Sequence, residues 1–196
     1  LYALRDVTDT VDQMSLIASS IMSKKLASGS DAIVLDVKTG NGAFMKNLED
    51  SRALAKAMVS IGTMAGKKTA AVITDMDQPL GYAVGNSLEV IEAIETLKGG
   101  GPEDFKEVVF ALGSLMLEFA GRAKNQKEAR NLMQQVINDG SALQKLAEFV
   151  SAQGGDASYV FDTARFPKAK NVTEVKAAKE GFVHRILAEE IGIACM

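Results

Sequence analysis

The sequence has 196 residues, which suits one medium-sized domain or one domain with a small appendage. Its 22 Lys and Arg and 25 Asp and Glu residues leave a net charge of −3, so no basic surplus indicates nucleic-acid binding through phosphate contacts. A single cysteine, Cys195, excludes a disulfide within this sequence, and a single histidine, His184, excludes a metal site of several histidines. The hydrophobic share of 47% is enough for a core, and a reducing, cytoplasmic setting is expected.

Two buried strands with a helix between them dominate the first half of the sequence. Apolar spacing predicts helices over 12–28 and 48–65 and strands over 32–37 and 69–74. One helix between two apolar strands predicts a right-handed βαβ unit with parallel strands, buried on both faces. The fold class predicted from this order is therefore α/β.

The rest of the chain is predicted to be helical as far as residue 153. Four further helices are predicted, over 86–98, 103–123, 126–138 and 141–153, the first with Leu88 and Ile94 among its inward-facing residues. Residues 173–178 and 182–187 predict the two strands of a β-hairpin. The predicted domains are residues 1–29, an α/β domain over 30–156, and a linker with the start of an α+β domain over 157–196.

The ends of the sequence and the length of its apolar stretches indicate whether a membrane is an expected partner of the protein. The residues after Leu1 lack the pattern of a signal peptide, so none is expected, and the longest apolar stretch, residues 108–117, is too short to span a bilayer. No membrane partner is therefore expected. Both ends are interpreted as cuts through a longer polypeptide.

A hydroxyl and an ammonium lie one turn apart on the first predicted helix. Ser20 and Lys24 are four residues apart and so share one stripe of that helix, and Arg5 lies just upstream. Two cations and a hydroxyl suit a ligand with carbonyl or anionic oxygens. A solvated lysine at a helix edge is the ordinary alternative for such spacing.

Five sequence stretches carry a resemblance to a known family. They are LYALRDVT at 1–8, SSIMSKKL at 19–26, DVKTGNGAFM at 36–45, TDMDQPLG at 74–81 and GNSLEV at 85–90. With them the chain resembles the pyrimidine-nucleoside phosphorylases of the thymidine phosphorylase family over nearly its whole length. The resemblance implies phosphorolysis of uridine, thymidine and deoxyuridine to the free base and (deoxy)ribose 1-phosphate.

The resemblance also implies which residues bind the base. Arg5, Ser20 and Lys24 match the base-binding residues of the family, Arg5 and Lys24 are the implied catalytic residues, and Tyr2 packs near the base. Breaking the glycosidic bond leaves negative charge on the pyrimidine, which cations at its carbonyl oxygens stabilise.

A monovalent cation site and several features of the whole enzyme are implied in the same way. Leu80 and Ala83 match ligands that act through backbone carbonyls, and Glu92 matches a carboxylate ligand of K⁺. Phosphate is the implied co-substrate, but the phosphate ligands of the family lie upstream of Leu1. The isolated chain is therefore expected to supply only the base-binding half of the site and to be inactive. Residues 1–29 match part of a helical domain that forms a homodimer in the family.

Two other functions stay open at this point. A phosphoribosyltransferase of the related fold would need an aspartate-rich Mg²⁺ site, for which Asp75 and Asp77 are the only indication. A non-catalytic helical interaction module would require the grouping of Arg5, Ser20 and Lys24 to be incidental.

Overall fold

The structure is a computed structural model that describes Leu4, residues 7–11 and residues 13–196. Its helices and strands follow in the order α1 (Met14–Ala27), β1 (Ala32–Thr39), α2 (Leu48–Met64), β2 (Lys68–Asp75), α3 (Asn86–Leu97), α4 (Glu103–Phe119), α5 (Gln126–Asn138), α6 (Ser141–Ala152), α7 (Ser158–Phe161), a 3-10 turn (Thr163–Arg165) and α8 (Ala188–Ala194). This order confirms the predicted α/β class and every predicted helix and strand up to residue 152.

The chain divides into two compact units. One consists of residues up to Asp77 together with Glu107–Met133, and the other of Gln78–Lys106 together with Gln134–Met196. The predicted domain boundaries at 29 and 156 follow a different division and stay predictions.

The first unit is built on the βαβ motif that the sequence predicts. Strands β1 and β2 pair in parallel, with Ala32 opposite Lys68 at one end and Thr39 opposite Asp75 at the other. Asn47 caps the start of the connecting helix α2, and its side chain accepts a hydrogen bond from the N–H of Asp50 at 2.9 Å. Apolar side chains of α2, β1 and β2 pack against one another, so these elements form one core.

That core covers only one face of the sheet, so the prediction of burial on both faces is wrong. Its buried members from α1, β1 and α2 and the adjoining loop are Ile17, Ala18, Met22, Ile33, Leu35, Val37, Met45, Leu54, Ala55 and Met58. Alternate residues of a strand point to opposite faces, and Asp36, between Leu35 and Val37, is exposed. The second face therefore carries polar side chains near the carboxyl ends of the strands.

Helix α4 contains the longest apolar stretch of the sequence. Phe110 and Ser114 are its buried residues. Among the residues that the structure describes, no helix combines the length and the apolar character needed to cross a membrane.

Glu107 of α4 and Arg130 of α5 form a bidentate ion pair. Their two hydrogen bonds are 2.8 and 2.5 Å long, and the guanidinium carbon lies 5.8 Å from the centre of the Phe110 ring. The hydrogen bonds from Arg130, more than its charge, hold the pKa of Glu107 below the ordinary value of 4.5. A carboxylate with a lowered folded pKa stabilises the fold above its ordinary pKa and loses that contribution as the pH falls through the folded value.

We expect Glu107→Gln to lower the free energy of unfolding by up to about 1 kcal/mol at neutral pH, since the pair is partly exposed. The difference from the unchanged chain should shrink towards zero at a pH below the folded pKa of Glu107, where this carboxyl is protonated in both states. Urea unfolding at the two pH values measures it, with Glu148→Gln, which removes an exposed pair with Lys145, as the control. A difference of equal size at both pH values would contradict the assignment.

In the second unit, helices α3, α6 and α7 each bury a residue. Ile94 of α3 is 1% exposed, Ala147 of α6 3% and Val160 of α7 2%. Leu88, predicted to face inward with Ile94, is 57% exposed, so that part of the prediction is wrong.

The segment that follows α6 is held by a small polar and aromatic cluster. The N–H and hydroxyl of Ser158 donate to Asp156, and Arg165 lies 3.5 Å from the same carboxylate, so the pKa of Asp156 is lowered, chiefly by Ser158. Arg165 also lies over the ring of Tyr159, which meets Phe166 edge to face at 5.1 Å. The cluster therefore fixes the turn from α7 into the segment beyond it.

The predicted β-hairpin over 173–187 is wrong, because these residues form no strand in the structure. Val175 and Phe182 are 95% and 102% exposed. A two-stranded hairpin is at best marginally stable unless a third strand or a helix covers its apolar face. No described element covers these side chains, so the pattern of apolar residues does not lead to pairing.

Candidate active site

Helix α1 carries the two predicted base-binding residues that the structure describes. Ser20 is half-buried and Lys24 is exposed, and they are separated by about 6 Å along one side of the helix. Met22, fully buried between them in sequence, anchors the helix in the core of the first unit. The hydroxyl and the ammonium are therefore presented from a packed helix. Tyr2 and Arg5 lie outside the described residues.

The loop that enters α3 folds around the carboxylate of Glu92. The backbone N–H groups of Tyr82 and Ala83 both donate to Glu92 Oε1, with N···O distances of 3.0 and 3.1 Å. Glu89, one turn earlier on the same helix, accepts the N–H of Gly85 at 3.0 Å. Both glutamates therefore fix the backbone of residues 82–85.

Gly81 allows the loop to approach Glu92 closely. Its φ of +73° lies in the left-handed region that favours glycine. A Cβ at this position would lie 2.2 Å from Glu92 Oε2. Any side chain here would displace the carboxylate, so the contact between loop and helix depends on glycine at this position.

The residues predicted to hold a monovalent cation are brought together by this loop. Leu80 and Ala83 are half-buried, and Glu92 contacts the backbone between them. Among the described residues, no ion pair involves Glu89, Glu92 or Asp104, the third carboxylate that reaches the loop. Oxygen donors beside carboxylates that have no cationic partner in the described part of the chain fit a hard cation.

Metal sites of another kind are not found in the described part of the chain, where no three His, Cys, Asp or Glu side chains are grouped to hold a metal ion. Asp75 and Asp77, the only residues that indicate a Mg²⁺-dependent transferase, accept hydrogen bonds from loop backbone instead. Asp75 accepts the N–H of Asp77 at 2.9 Å, and Asp77 accepts the N–H of Asn41 at 2.8 Å. Gly40, with a φ of +123°, leaves room for Asp77 at this crossing.

A second polar group that the sequence analysis missed lies on the face of the sheet opposite the core. Lys38 is 2.6 Å from Asp36 and donates to Thr74 Oγ1 at 2.9 Å, while the Thr74 hydroxyl donates to Asp36 at 2.5 Å. The register that places Lys38 opposite Thr74 brings the three together. The signal in the sequence was the polar alternation of Asp36 and Lys38 within an otherwise apolar strand.

Comparison with known proteins shows the family to which the chain that carries these residues belongs. The sequence profile of the glycosyl transferase family, a/b domain, matches residues 1–143. The chain belongs to this family. Every predicted site residue lies within the matched part of this glycosyl transferase family member.

Individual relatives give a finer comparison for this glycosyl transferase family member. The chain is 59% identical to the pyrimidine-nucleoside phosphorylase of Geobacillus stearothermophilus, 58% to that of Staphylococcus haemolyticus and 57% to that of Bacillus subtilis. Each comparison covers 100% of this chain and 45% of the relative. The resemblance predicted from the sequence motifs is therefore confirmed, and the chain spans less than half the length of the curated relatives that it matches.

The two groups of predicted site residues in this family member lie in different units. Ser20 and Lys24 belong to the first unit, whereas Leu80, Ala83 and Glu92 belong to the second. Asp104 and Glu89, which hold the loop of the second group, carry no sequence signal of their own, because acidic residues in the first turn of a helix are ordinary.

Proposed function

We propose that this chain takes part in the phosphorolysis of pyrimidine nucleosides and supplies residues that bind the base. The observation that carries the proposal is the 57–59% identity, over all 196 residues, to proteins named pyrimidine-nucleoside phosphorylase. The arrangement of Ser20 and Lys24 on one side of a packed helix supports it.

In the proposed reaction an oxygen of inorganic phosphate forms a bond to C1′ of the pentose, and the bond between C1′ and N1 of the base breaks. The electron pair of the broken bond moves onto the pyrimidine, where its two carbonyl oxygens share the charge, and the base is then protonated. The products are the free base and (deoxy)ribose 1-phosphate. Uridine, thymidine and deoxyuridine are the proposed substrates.

Lys24 is proposed to face a carbonyl oxygen of the leaving base. An ammonium there stabilises the transition state more than the ground state, because the negative charge develops only as the bond breaks. Arg5 is proposed for the second carbonyl oxygen, Ser20 for a hydrogen bond to the ring N–H or a carbonyl, and Tyr2 for packing against the base.

A monovalent cation, K⁺ in the proposal, is assigned to the carbonyl oxygens of Leu80 and Ala83 and the carboxylate of Glu92. Glu92 Oε1 accepts two backbone N–H groups, so Oε2 is the oxygen proposed for the cation. When bound, the cation supplies positive charge and ties the loop to α3.

The remaining parts of the proposal concern the whole enzyme. A homodimer in the cytoplasm is proposed, with no nucleic-acid or membrane partner. The phosphate ligands are proposed to lie outside the 196 residues, since the relatives are more than twice as long as the part that this chain matches.

The experiment that tests the proposal measures release of uracil and thymine from uridine and thymidine by the polypeptide as its gene encodes it. We expect release to require inorganic phosphate and to produce a pentose 1-phosphate. Base release from a nucleoside without phosphate would indicate hydrolysis instead. Synthesis of a nucleotide from free base and a pyrophosphorylated sugar with Mg²⁺ would support the transferase, and no turnover with either substrate would support the interaction module.

A further inference from the structure

The carboxylate of Asp104 reaches from the first turn of α4 to the loop that enters α3. Its Oδ2 accepts the backbone N–H of Gly81 at 3.0 Å, across 23 residues of sequence. Its Oδ1 accepts the N–H of Phe105 at 2.9 Å. One oxygen is therefore held by the helix to which Asp104 belongs, and the other holds the loop.

This hydrogen bond sets the direction of the Leu80 carbonyl. The C=O of Leu80 and the N–H of Gly81 belong to one planar trans peptide, in which the two groups point in opposite directions. Because Asp104 holds the N–H, the carbonyl oxygen of Leu80 points away from Asp104. Turning that carbonyl elsewhere would require the Gly81 N–H to leave the carboxylate.

The turn between α3 and α4 fixes where Asp104 lies relative to Glu92. Thr96, near the end of α3, is 5% exposed, and its hydroxyl donates to the carbonyl oxygen of Glu92 at 2.8 Å. Gly101 in the turn lies directly against Thr96, with no space for a Cβ. The two helices are thereby held close at this end, so that both carboxylates reach the same loop.

We propose that Asp104 is a positioning residue for the monovalent cation site: it orients the carbonyl of Leu80, while Glu92 orients the next two peptides and supplies a carboxylate oxygen. Asp104 is assigned no ligand role of its own, since the Leu80 carbonyl that it orients points away from its carboxylate. This inference rests on the proposed function, because it takes Leu80, Ala83 and Glu92 as the cation ligands.

The test compares Asp104→Ala and Asp104→Asn with Glu103→Ala in the polypeptide as its gene encodes it. Glu103 is the preceding residue, its side chain is 91% exposed and its partner is Lys106, so this control removes the same charge without touching Gly81. Binding of K⁺ is measured by calorimetry and by the rise in melting temperature with KCl against tetramethylammonium chloride at equal ionic strength.

We expect the dissociation constant for K⁺ to rise by about 10-fold or more in Asp104→Ala, as for the loss of a hydrogen bond to a charged group. Asp104→Asn should show a smaller rise, because its amide oxygen still accepts the Gly81 N–H. Glu103→Ala should bind K⁺ within about twofold of the unchanged protein. Circular dichroism shows whether each variant is folded. If Asp104→Ala does not fold, the K⁺ dissociation constant of Asp104→Asn decides the test.

Unchanged K⁺ binding in the folded Asp104 variants would overturn the inference, and so would equal weakening in Glu103→Ala. If the unchanged protein binds no K⁺, the cation assignment falls together with the inference. Phosphorolysis measured on the same preparation shows separately whether the proposed reaction holds.

Discussion

Replacing Lys24 with alanine is expected to lower the rate of phosphorolysis by about 10²–10³-fold, the loss typical of removing one donor that stabilises developing negative charge. The charge on the pyrimidine exists only as the glycosidic bond breaks, so kcat and kcat/KM should fall together. Steady-state rates with uridine and saturating phosphate measure the effect.

Lys25→Ala provides the matched control for this substitution. Lys25 is the next residue of the same helix and is also exposed, but it points about 100° further around the helix axis. Its loss should change kcat by less than about twofold. Equal losses in the two variants would mean that the helix needs positive charge in general, and a small loss in both would remove Lys24 from the active site.

Met22→Ala is expected to destabilise the chain by about 2–5 kcal/mol, the range for truncating a large buried side chain to alanine. Met22 is 0% exposed and packs in the core that α1 shares with β1 and α2. The cavity left in place of its side chain would not be refilled without moving α1. Equilibrium unfolding in urea gives the free energy difference directly.

The control for Met22→Ala is Met64→Ala, at the end of α2. Met64 is 78% exposed, so its truncation should cost less than about 0.5 kcal/mol. A similar small loss in both variants would show that α1 does not pack as described. Because Met22 lies between Ser20 and Lys24 in sequence, its truncation should also raise KM for the nucleoside in the protein that still folds.

The fixed backbone of the loop at residues 81–85 has a consequence for the proposed cation site. Carboxylates from two helices accept the N–H groups of Gly81, Tyr82, Ala83 and Gly85. Such a loop needs little rearrangement when a cation binds, and preorganised ligands bind with a smaller entropic cost. The loop is therefore suited to hold the carbonyl groups proposed as ligands in place before a cation binds.

The order of the helices and strands was determined by the sequence itself. Helix α1 follows from the apolar spacing of residues such as Ile17 and Met22, and the βαβ unit follows from two short apolar strands with one helix between them. These patterns are local, because the spacing of apolar residues within one segment reflects the helix or strand that this segment forms. The resemblance in the motifs around Ser20 and Lys24 was likewise legible from sequence alone.

What the sequence did not decide depends on which segments meet in three dimensions. The apolar pattern over 173–187 forms no hairpin, because strands need neighbours that cover them. Which face of the sheet is buried in the core depends on where α1 and α2 pack. The hydrogen-bonded group of Asp36, Lys38 and Thr74 depends on the register of the two strands.

The contact between Asp104 and Gly81 shows the same division most clearly. The two residues are 23 positions apart, and neither carries a pattern that points to the other. Only the tight turn between α3 and α4 brings the carboxylate to the loop. Local chemistry therefore determines the helices and the two paired strands up to residue 152. The direction of a single carbonyl group is determined by tertiary packing, since it depends on a hydrogen bond between distant parts of the chain.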